Sequence, residues 1–231
     1  MYLLIAISVV LLMLFLVWAS ADVGSNVYLK TICRADTKEK VVALTFDDAV
    51  EENTTKVLDV LKKHNIQATF FLVGSKVEKH PHIVKRIVNE GHIVANHTYS
   101  HSGFFPMSSK KKVEQEIIKS ADAIQNTVGK RPVLFRPPFG VTNPIIGKAV
   151  RALGLKTIGW SIRSLDTVKG KTREEVAQKV LKNLHEGAII LLHDRCQEAD
   201  SLVEKIIVGA HKHGYVFASL DKMINVKPYE N

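Results

Sequence analysis

The chain has 231 residues, of which 46% are hydrophobic and 24% are charged, with 13 glycines and 7 prolines. This composition excludes a disordered, collagen-like or low-complexity protein. The formal net charge of +9 favours anionic surroundings such as nucleic acid, acidic lipid or an anionic cell-wall polymer. Because the longest basic run covers only residues 110–112, a dedicated nucleic-acid-binding arm is not expected. No obligate protein partner is evident from the sequence either.

The first 21 residues carry no charged side chain, and Ser8 is the only polar residue in 2–18. A run of about 17 apolar residues is the lower limit for a membrane-spanning helix. Residues 19–21 (Ala-Ser-Ala) also resemble the small-residue site at which a signal peptide is cleaved. We expect a membrane anchor, with a cleaved signal or a buried helix as alternatives. The body would then be extracytoplasmic or secreted, although the basic residues after the segment favour the opposite orientation by the positive-inside rule.

The remaining sequence alternates short apolar runs with helical patterns. Seven runs are predicted as strands, mostly covered on both faces: 41–46, 68–73, 92–96, 133–136, 157–161, 188–192 and 215–220. Such alternation predicts a parallel α/β fold, either a barrel or a doubly wound sheet. Because no repeat or linker divides the body, we predict a single domain. The chain is divided into an anchor or signal (1–21), a connector (22–37) and that domain (38–231).

Charged and imidazole side chains follow five of the predicted strands, at the point where each strand ends. Because the carboxyl ends of parallel strands share one rim, we expect these side chains to lie close together. They are Asp47, Asp48, His97, His101, Arg136, Asp166 and His193.

His97 and His101 are four residues apart, the spacing of two metal ligands on one helical turn. Asp47 and Asp48 are adjacent, and neighbouring side chains on an extended chain point in opposite directions. One carboxylate would then bind a metal while the other faces a neighbouring water. Two imidazoles and a carboxylate leave a position for water, whose pKa falls toward about 7 on a metal. The plainer readings remain open: histidines bonded to backbone, and aspartates that cap helices or form turns.

Arg136 and His193 also have two readings each. Arg136 is followed by two prolines, which stiffen the loop and suit a positioned guanidinium, although it could anchor a surface carboxylate. His193 ends a wholly apolar run at the expected reactive rim, although it could be a core histidine with satisfied hydrogen bonds.

Four short motifs occur in order along the chain: TFDD (45–48), HTxxH (97–101), RPPFG (136–140) and LLHD (191–194). In this order and at these spacings they resemble the polysaccharide deacetylases of carbohydrate esterase family 4, the NodB-homology domain. The resemblance extends over roughly residues 38–220. It implies a distorted (β/α) barrel, which agrees with about seven parallel strands following an N-terminal apolar helix.

The resemblance also implies a set of metal ligands and a general base. Asp48, His97 and His101 would hold a divalent metal, usually Zn²⁺, with Co²⁺ or another divalent cation as alternatives. Asp47 would be the general base that takes a proton from the attacking water. Arg136 would pair with Asp47 and orient it.

For the later steps, the resemblance implies an oxyanion donor, a general acid and a substrate pocket. The backbone N–H of Phe139 would stabilise the oxyanion. His193 would protonate the departing amine, oriented by Asp166. Leu191 would line the pocket for the acetyl methyl group, and the other predicted substrate-binding residues are Pro138, Phe139 and Trp160.

Four residues depart from the family pattern. Ala49-Val50 replaces the usual Gly-Pro after TFDD, so the turn beneath Asp48 is expected to differ because alanine tolerates positive φ poorly. Arg163 stands where the family commonly has an aspartate, and Thr167 where it commonly has a tryptophan. An arginine near the rim favours an acidic glycan.

The predicted activity is therefore removal of N-acetyl groups from the N-acetylhexosamine units of a polysaccharide, with peptidoglycan as the expected polymer. An O-acetyl esterase acting on xylan or another acetylated polysaccharide, and a glycan-binding domain without turnover, remain the alternatives. Nucleic acid is not expected as a partner, because binding it would leave the clustered reactive residues without a purpose.

Overall fold

A parallel sheet forms the centre of the protein in a computed structural model that describes residues 1–230. Its strands are β1 (Thr31–Ile32), β2 (Val41–Ala49), β3 (Thr69–Leu72), β4 (Ile93–Asn96), β5 (Leu134–Phe135), β6 (Lys156–Ile158), β7 (Ile162–Arg163), β8 (Ala188–His193) and β9 (Val216–Phe217). The order is β1-β6-β5-β4-β3-β2-β8-β7, and β9 pairs with the start of β2. All these strand pairings are parallel.

The curled sheet confirms the expected distorted barrel. Within residues 1–230 the end strands β1 and β7 do not pair with each other, so the barrel remains open. Each of the seven predicted strands is present, most of them shorter than predicted. The sequence did not predict β1 and β7, because each is two residues long and lies outside the apolar runs that predicted the other strands.

Helices surround the sheet and follow the strands along the chain. After α1 (Tyr2–Ala21) come α2 (Glu52–Lys63), α3 (Gly74–Lys79), α4 (Pro81–Asn89), α5 (Lys110–Val128), α6 (Pro144–Ala152), α7 (Arg173–Lys182), α8 (Ala199–Lys212) and α9 (Leu220–Ile224). Local signals start several of them. Pro81 occupies the first turn of α4, and Thr172 with Glu175 forms a reciprocal capping box at α7.

Side-chain alternation along β2 separates two environments. Val42, Leu44 and Phe46 pack outward against the helices, in a cluster with residues of α2, α4, α7 and α8. Ala43 belongs to a second cluster that lies on the other face of the sheet. Thr45 lies on that inner face as well and bonds to a guanidinium there. The inner face is therefore polar toward the carboxyl ends of the strands, where the predicted rim lies.

Residues 22–37, expected to be a connector, pack on the domain. Strand β1 pairs with β6, and Leu29 joins a core cluster with residues of α5 and α6. The proposed division at residues 21 and 37 stays a prediction. Helix α1 is apolar and exposed apart from the buried Ala19 and the half-buried Ser20, and it is the one helix of the described chain long and apolar enough to cross a membrane.

Candidate active site and metal centre

A β-bulge at the end of β2 brings two acidic side chains into one cavity. Asp47 is paired with Phe71 of β3, and Ala49 with Leu72, so Asp48 is the extra residue. Asp48 has φ 63°, in the left-handed region that aspartate tolerates better than most residues. Both carboxylates therefore line the same cavity. The expectation that neighbouring carboxylates diverge was wrong, because the strand is not regular at this point.

Asp48, His97 and His101 present one ligand atom each within 4.8 Å of one another. Asp48 Oδ1 lies 3.7 Å from His97 Nε2 and 3.3 Å from His101 Nε2. The histidines lie on an irregular loop after β4, in which Thr98 and His101 have φ 66° and 47°. The spacing of four resembled a helical turn, but a loop brings the rings together.

The surroundings of these three residues fit a divalent metal. Asp48 Oδ1 is buried and has no hydrogen-bond partner among residues 1–230, although it faces two imidazoles. His97 donates from Nδ1 to the carbonyl of Arg136 at 2.7 Å, which leaves the Nε2 lone pair directed at Asp48. Two imidazole nitrogens and one carboxylate oxygen are a common ligand set for Zn²⁺ and related ions.

The pKa values of Asp48 and His97 are both shifted downward. Burial opposes ionisation of Asp48, but His97, His101 and Arg195 outweigh it and lower the pKa of Asp48 to about 2. Burial lowers the pKa of the His97 imidazole below its ordinary value, and the negative charges of Asp47 and Asp48 oppose that shift. A carboxylate and a neutral imidazole are the forms that bind a metal ion.

Asp47 forms a buried ion pair with Arg136. The distance from Arg136 Nη1 to Asp47 Oδ1 is 2.6 Å, and both side chains are buried. The same guanidinium donates to the carbonyls of Ile158 (3.1 Å) and Gly159 (2.7 Å) and lies 4.0 Å from the ring centroid of Phe71. Because every side of the arginine is occupied, Asp47 is held in one orientation.

His193 is held by Asp166 through two hydrogen bonds. His193 Nδ1 donates to Asp166 Oδ1 at 2.9 Å, and the His193 backbone N–H donates to Asp166 Oδ2 at 2.6 Å. Burial alone would lower the pKa of His193, but the bond and charge of Asp166 raise it above its ordinary value. Asp166 therefore stabilises the imidazolium form of His193.

A cavity of about 160 Å³ is lined by Asp47, Asp48, His97, His101 and His193, while Arg136 and Asp166 bind the cavity residues Asp47 and His193. Among the predicted substrate-binding residues, Phe139, Trp160 and Leu191 line it, whereas Pro138 is buried and does not. Phe139 has φ 60°, a strained conformation for a bulky residue, and its ring centroid lies 4.9 Å from that of His101.

Two positions that depart from the family pattern also line the cavity. They are Arg163 and Thr167.

Two basic residues that the sequence did not single out contact Asp48. Arg195 Nε donates to Asp48 Oδ2 at 2.8 Å, and Lys76 Nζ donates to the Asp48 backbone carbonyl at 2.8 Å and to Glu51 at 2.6 Å. Arg195 directly follows the LLHD motif, and this position in the sequence could have identified it as a site residue. Lys76 lies 28 residues from Asp48 and carried no sequence signal.

Comparisons with known proteins agree with this geometry. The family described as polysaccharide deacetylase matches residues 34–158. The chain is 35% identical to the peptidoglycan-N-acetylmuramic acid deacetylase PdaA of Bacillus subtilis strain 168, over 82% of this chain and 73% of the relative. It is also 35% identical to a peptidoglycan-N-acetylglucosamine deacetylase of Bacillus cereus strain ATCC 14579, over 82% of this chain and 90% of the relative.

A solved structure shows the same architecture. The crystal structure of the Bc1960 peptidoglycan N-acetylglucosamine deacetylase superposes with a TM-score of 0.81 at 33% identity, covering 87% of this chain and 95% of that one. The chain belongs to the polysaccharide deacetylase family, carbohydrate esterase family 4. The predicted family and its hydrolase class are thus confirmed, while the roles assigned to individual residues stay predictions.

Proposed function

We propose that the protein is a metal-dependent N-deacetylase that acts on N-acetylhexosamine units of peptidoglycan. One observation carries this proposal: the Asp47–Arg136 pair and the His193–Asp166 pair lie around the same cavity as a cluster suited to a metal. Amide hydrolysis needs an activated nucleophile, stabilisation of the oxyanion and a proton for a poor leaving group. The cavity holds one group suited to each need.

Asp48, His97 and His101 would hold the metal, for which we propose Zn²⁺. A divalent ion bound there supplies Lewis acidity, which activates water and polarises the acetyl carbonyl. Asp47 accepts the proton of the attacking water, and the ion pair with Arg136 keeps its carboxylate oriented toward the cavity. The backbone N–H of Phe139 donates to the carbonyl oxygen as negative charge develops on it.

His193 protonates the leaving amine. Its raised pKa supports this role, because an acid must hold its proton until the C–N bond breaks. An alcohol leaves more readily than an amine, so an O-acetyl esterase needs this acid less. The His193–Asp166 pair therefore favours the amide substrate over an acetylated xylan.

Arg163 supports an acidic glycan as substrate. It lines the cavity where the family commonly has an aspartate, so the charge at that position is reversed. Lactyl or peptide carboxylates of peptidoglycan would be attracted to it. The names of the relatives divide between N-acetylmuramic acid and N-acetylglucosamine, so the choice of sugar needs a direct measurement. We further propose that α1 anchors the domain to the membrane on the extracytoplasmic side.

Acetate release from peptidoglycan, chitin oligomers and acetylated xylan tests the proposal, measured with chelator and then with added Zn²⁺. We expect release from peptidoglycan to stop with chelator and to return with Zn²⁺. Asp47→Asn should keep its metal and lose at least a hundredfold in rate, on the order expected for a missing base. His97→Ala should lose both the bound metal and acetate release. The matched control for Asp47→Asn is Asp122→Asn, which changes an exposed carboxylate on α5.

Two results would contradict the proposal. Full activity of Asp47→Asn would remove Asp47 as the base. Metal binding without acetate release from any of the three polymers would favour a glycan-binding domain.

A further inference from the structure

Helix α1 is built into the rim of the catalytic domain through hydrogen bonds. The carbonyl oxygens of a helix's last turn have no partner within the helix. Here Thr142 supplies partners, since its backbone N–H donates to Ser20 at 3.0 Å and its hydroxyl donates to Ala19 at 3.2 Å. Ser25 also donates to the Ala19 carbonyl, at 2.9 Å. The Ala19 side chain is fully buried, so the end of α1 is fixed on the domain.

A second contact joins the residues after α1 to another rim loop. Val23 and Cys33 pack on Gly159 so closely that a Cβ there would lie 3.1 Å from Val23 Cγ1 and 2.6 Å from Cys33 Sγ. The carbonyl of Gly159 accepts a hydrogen bond from Arg136 at the active site. The junction with α1 therefore touches the rim at two separate loops.

These contacts limit how far the cavity lies from the end of α1. Thr142 is two residues after Gly140, which lines the cavity. Since consecutive Cα atoms are about 3.8 Å apart, Gly140 lies within about 12 Å of the Ser20 carbonyl. A domain of about 200 residues measures roughly 40 Å across. The cavity therefore lies on the side of the domain that carries α1.

The dimensions and ends of α1 fit the hydrocarbon core of a bilayer. Its 20 residues extend about 30 Å, which is the thickness of that core. Tyr2 and Trp18, both exposed, lie near its two ends, as aromatic residues do at the two membrane interfaces. No charged side chain precedes Asp22. The last turn of α1, and with it the rim, would lie at the bilayer surface.

We propose that α1 is retained and holds the catalytic cavity beside the membrane, so that the enzyme acts on glycan next to the bilayer. This inference rests on the proposed function and adds the position of the substrate. The same contacts oppose cleavage of the folded protein after Ala21, because residues 19–21 are helical rather than extended and the carbonyls of Ala19 and Ser20 are hydrogen-bonded to Thr142.

Energy transfer tests the height of the cavity above the membrane. The full chain is placed in nanodiscs whose lipids carry an acceptor, with a fluorescent residue at position 139 or 216. Phe139 is at the rim, whereas Val216 is exposed and pairs with Val41, about 20 Å along β2 from Asp47. We expect clearly stronger transfer from position 139. Equal transfer, or stronger transfer from position 216, would overturn the placement.

A flexible Gly/Ser linker inserted after residue 21 is the control variant. It should reduce transfer from position 139, and it should abolish the faster acetate release expected from glycan tethered to the same bilayer by a short linker. Acetate release from free glycan should remain unchanged, and this arm tests the proposed function separately. Intact mass of the protein purified from membranes should include residues 1–21, and a mature chain that begins at residue 22 would overturn the retention of α1.

Discussion

Replacing Asp166 by asparagine should shift the pH dependence of the reaction to lower pH. Asp166 is buried and accepts two hydrogen bonds from His193, one from the ring and one from the backbone. Together with its negative charge, the ring bond raises the pKa of His193. Asparagine has the same shape, but it carries no charge to stabilise the imidazolium.

The size of the shift follows from the bond that is weakened. A hydrogen bond to a charged group is worth about 1.5–3 kcal/mol. Since one pKa unit corresponds to about 1.4 kcal/mol, the pKa of His193 should fall by about 1–2 units. The general acid must be protonated, so activity is lost as pH rises through this pKa. The variant should therefore lose activity at a pH about 1–2 units lower than the wild type does.

The raised pKa of His193 also makes the free energy of unfolding depend on pH. Because the folded pKa of His193 is above the unfolded value, its contribution to stability is fully present below about pH 6.5 and is lost as pH rises through the folded pKa. In Asp166→Asn this contribution should be smaller, and the free energy of unfolding should change less with pH over that range.

Acetate release across pH 5–10, at saturating and at low substrate, measures the shift. Metal content is checked at each pH, and Asp59→Asn removes an equal charge from the surface as a control. An alkaline limb that coincides in the variant and the wild type would refute the role of Asp166. A uniform loss of rate at every pH, with an unmoved limb, would assign Asp166 a structural role alone.

Three further predictions concern single side chains. Arg163→Gln should lower kcat/KM on peptidoglycan fragments about tenfold and leave neutral chitin oligomers nearly unchanged, in parallel acetate assays; equal losses on both would contradict an acidic-glycan contact. Lys76→Met should weaken Zn²⁺ binding by about tenfold in a competition titration, because the Asp48 backbone loses a partner, while the exposed Lys205→Met should not. Burial raises the pKa of Asp194 to about 7, so its neutral form is favoured and the stability that it contributes is lost as pH rises from about 4 to about 7. Asp194→Asn should remove that slope from the free energy of unfolding measured with urea, and an unchanged slope would contradict the assignment.

The sequence predicted the elements whose signals are local. Short apolar or β-branched runs predicted the seven main strands, and caps such as Thr172 with Glu175 predicted helix starts. Because parallel strand ends share one rim, the residues that follow them were expected together, and the structure brings them around one cavity. The residues that follow the strand ends are therefore brought together by the parallel arrangement of the strands.

The contacts that complete the site depend on tertiary geometry. The bulge at Asp48 was not predicted, since the predicted strand ended at residue 46 and a turn was expected beneath Asp48. Lys76 reaches Asp48 from α3 only because β2 and β3 are neighbours in the sheet. Thr142 similarly meets the end of α1 across more than a hundred residues. Such contacts join segments that are distant along the chain, so no local pattern announces them.

The departure at Ala49 has a different effect from the one the sequence indicated. Positive φ was expected to be needed at the glycine position, but it falls on Asp48, and Ala49 is a fully buried strand residue. An aspartate in the left-handed region is under modest strain, which the surrounding contacts must offset. Lys76 on its carbonyl and Arg195 on its Oδ2 provide those contacts and leave Oδ1 directed at the two imidazoles. Lys76 and Arg195 therefore hold the backbone and the side chain of Asp48 in this conformation, without a glycine at position 49.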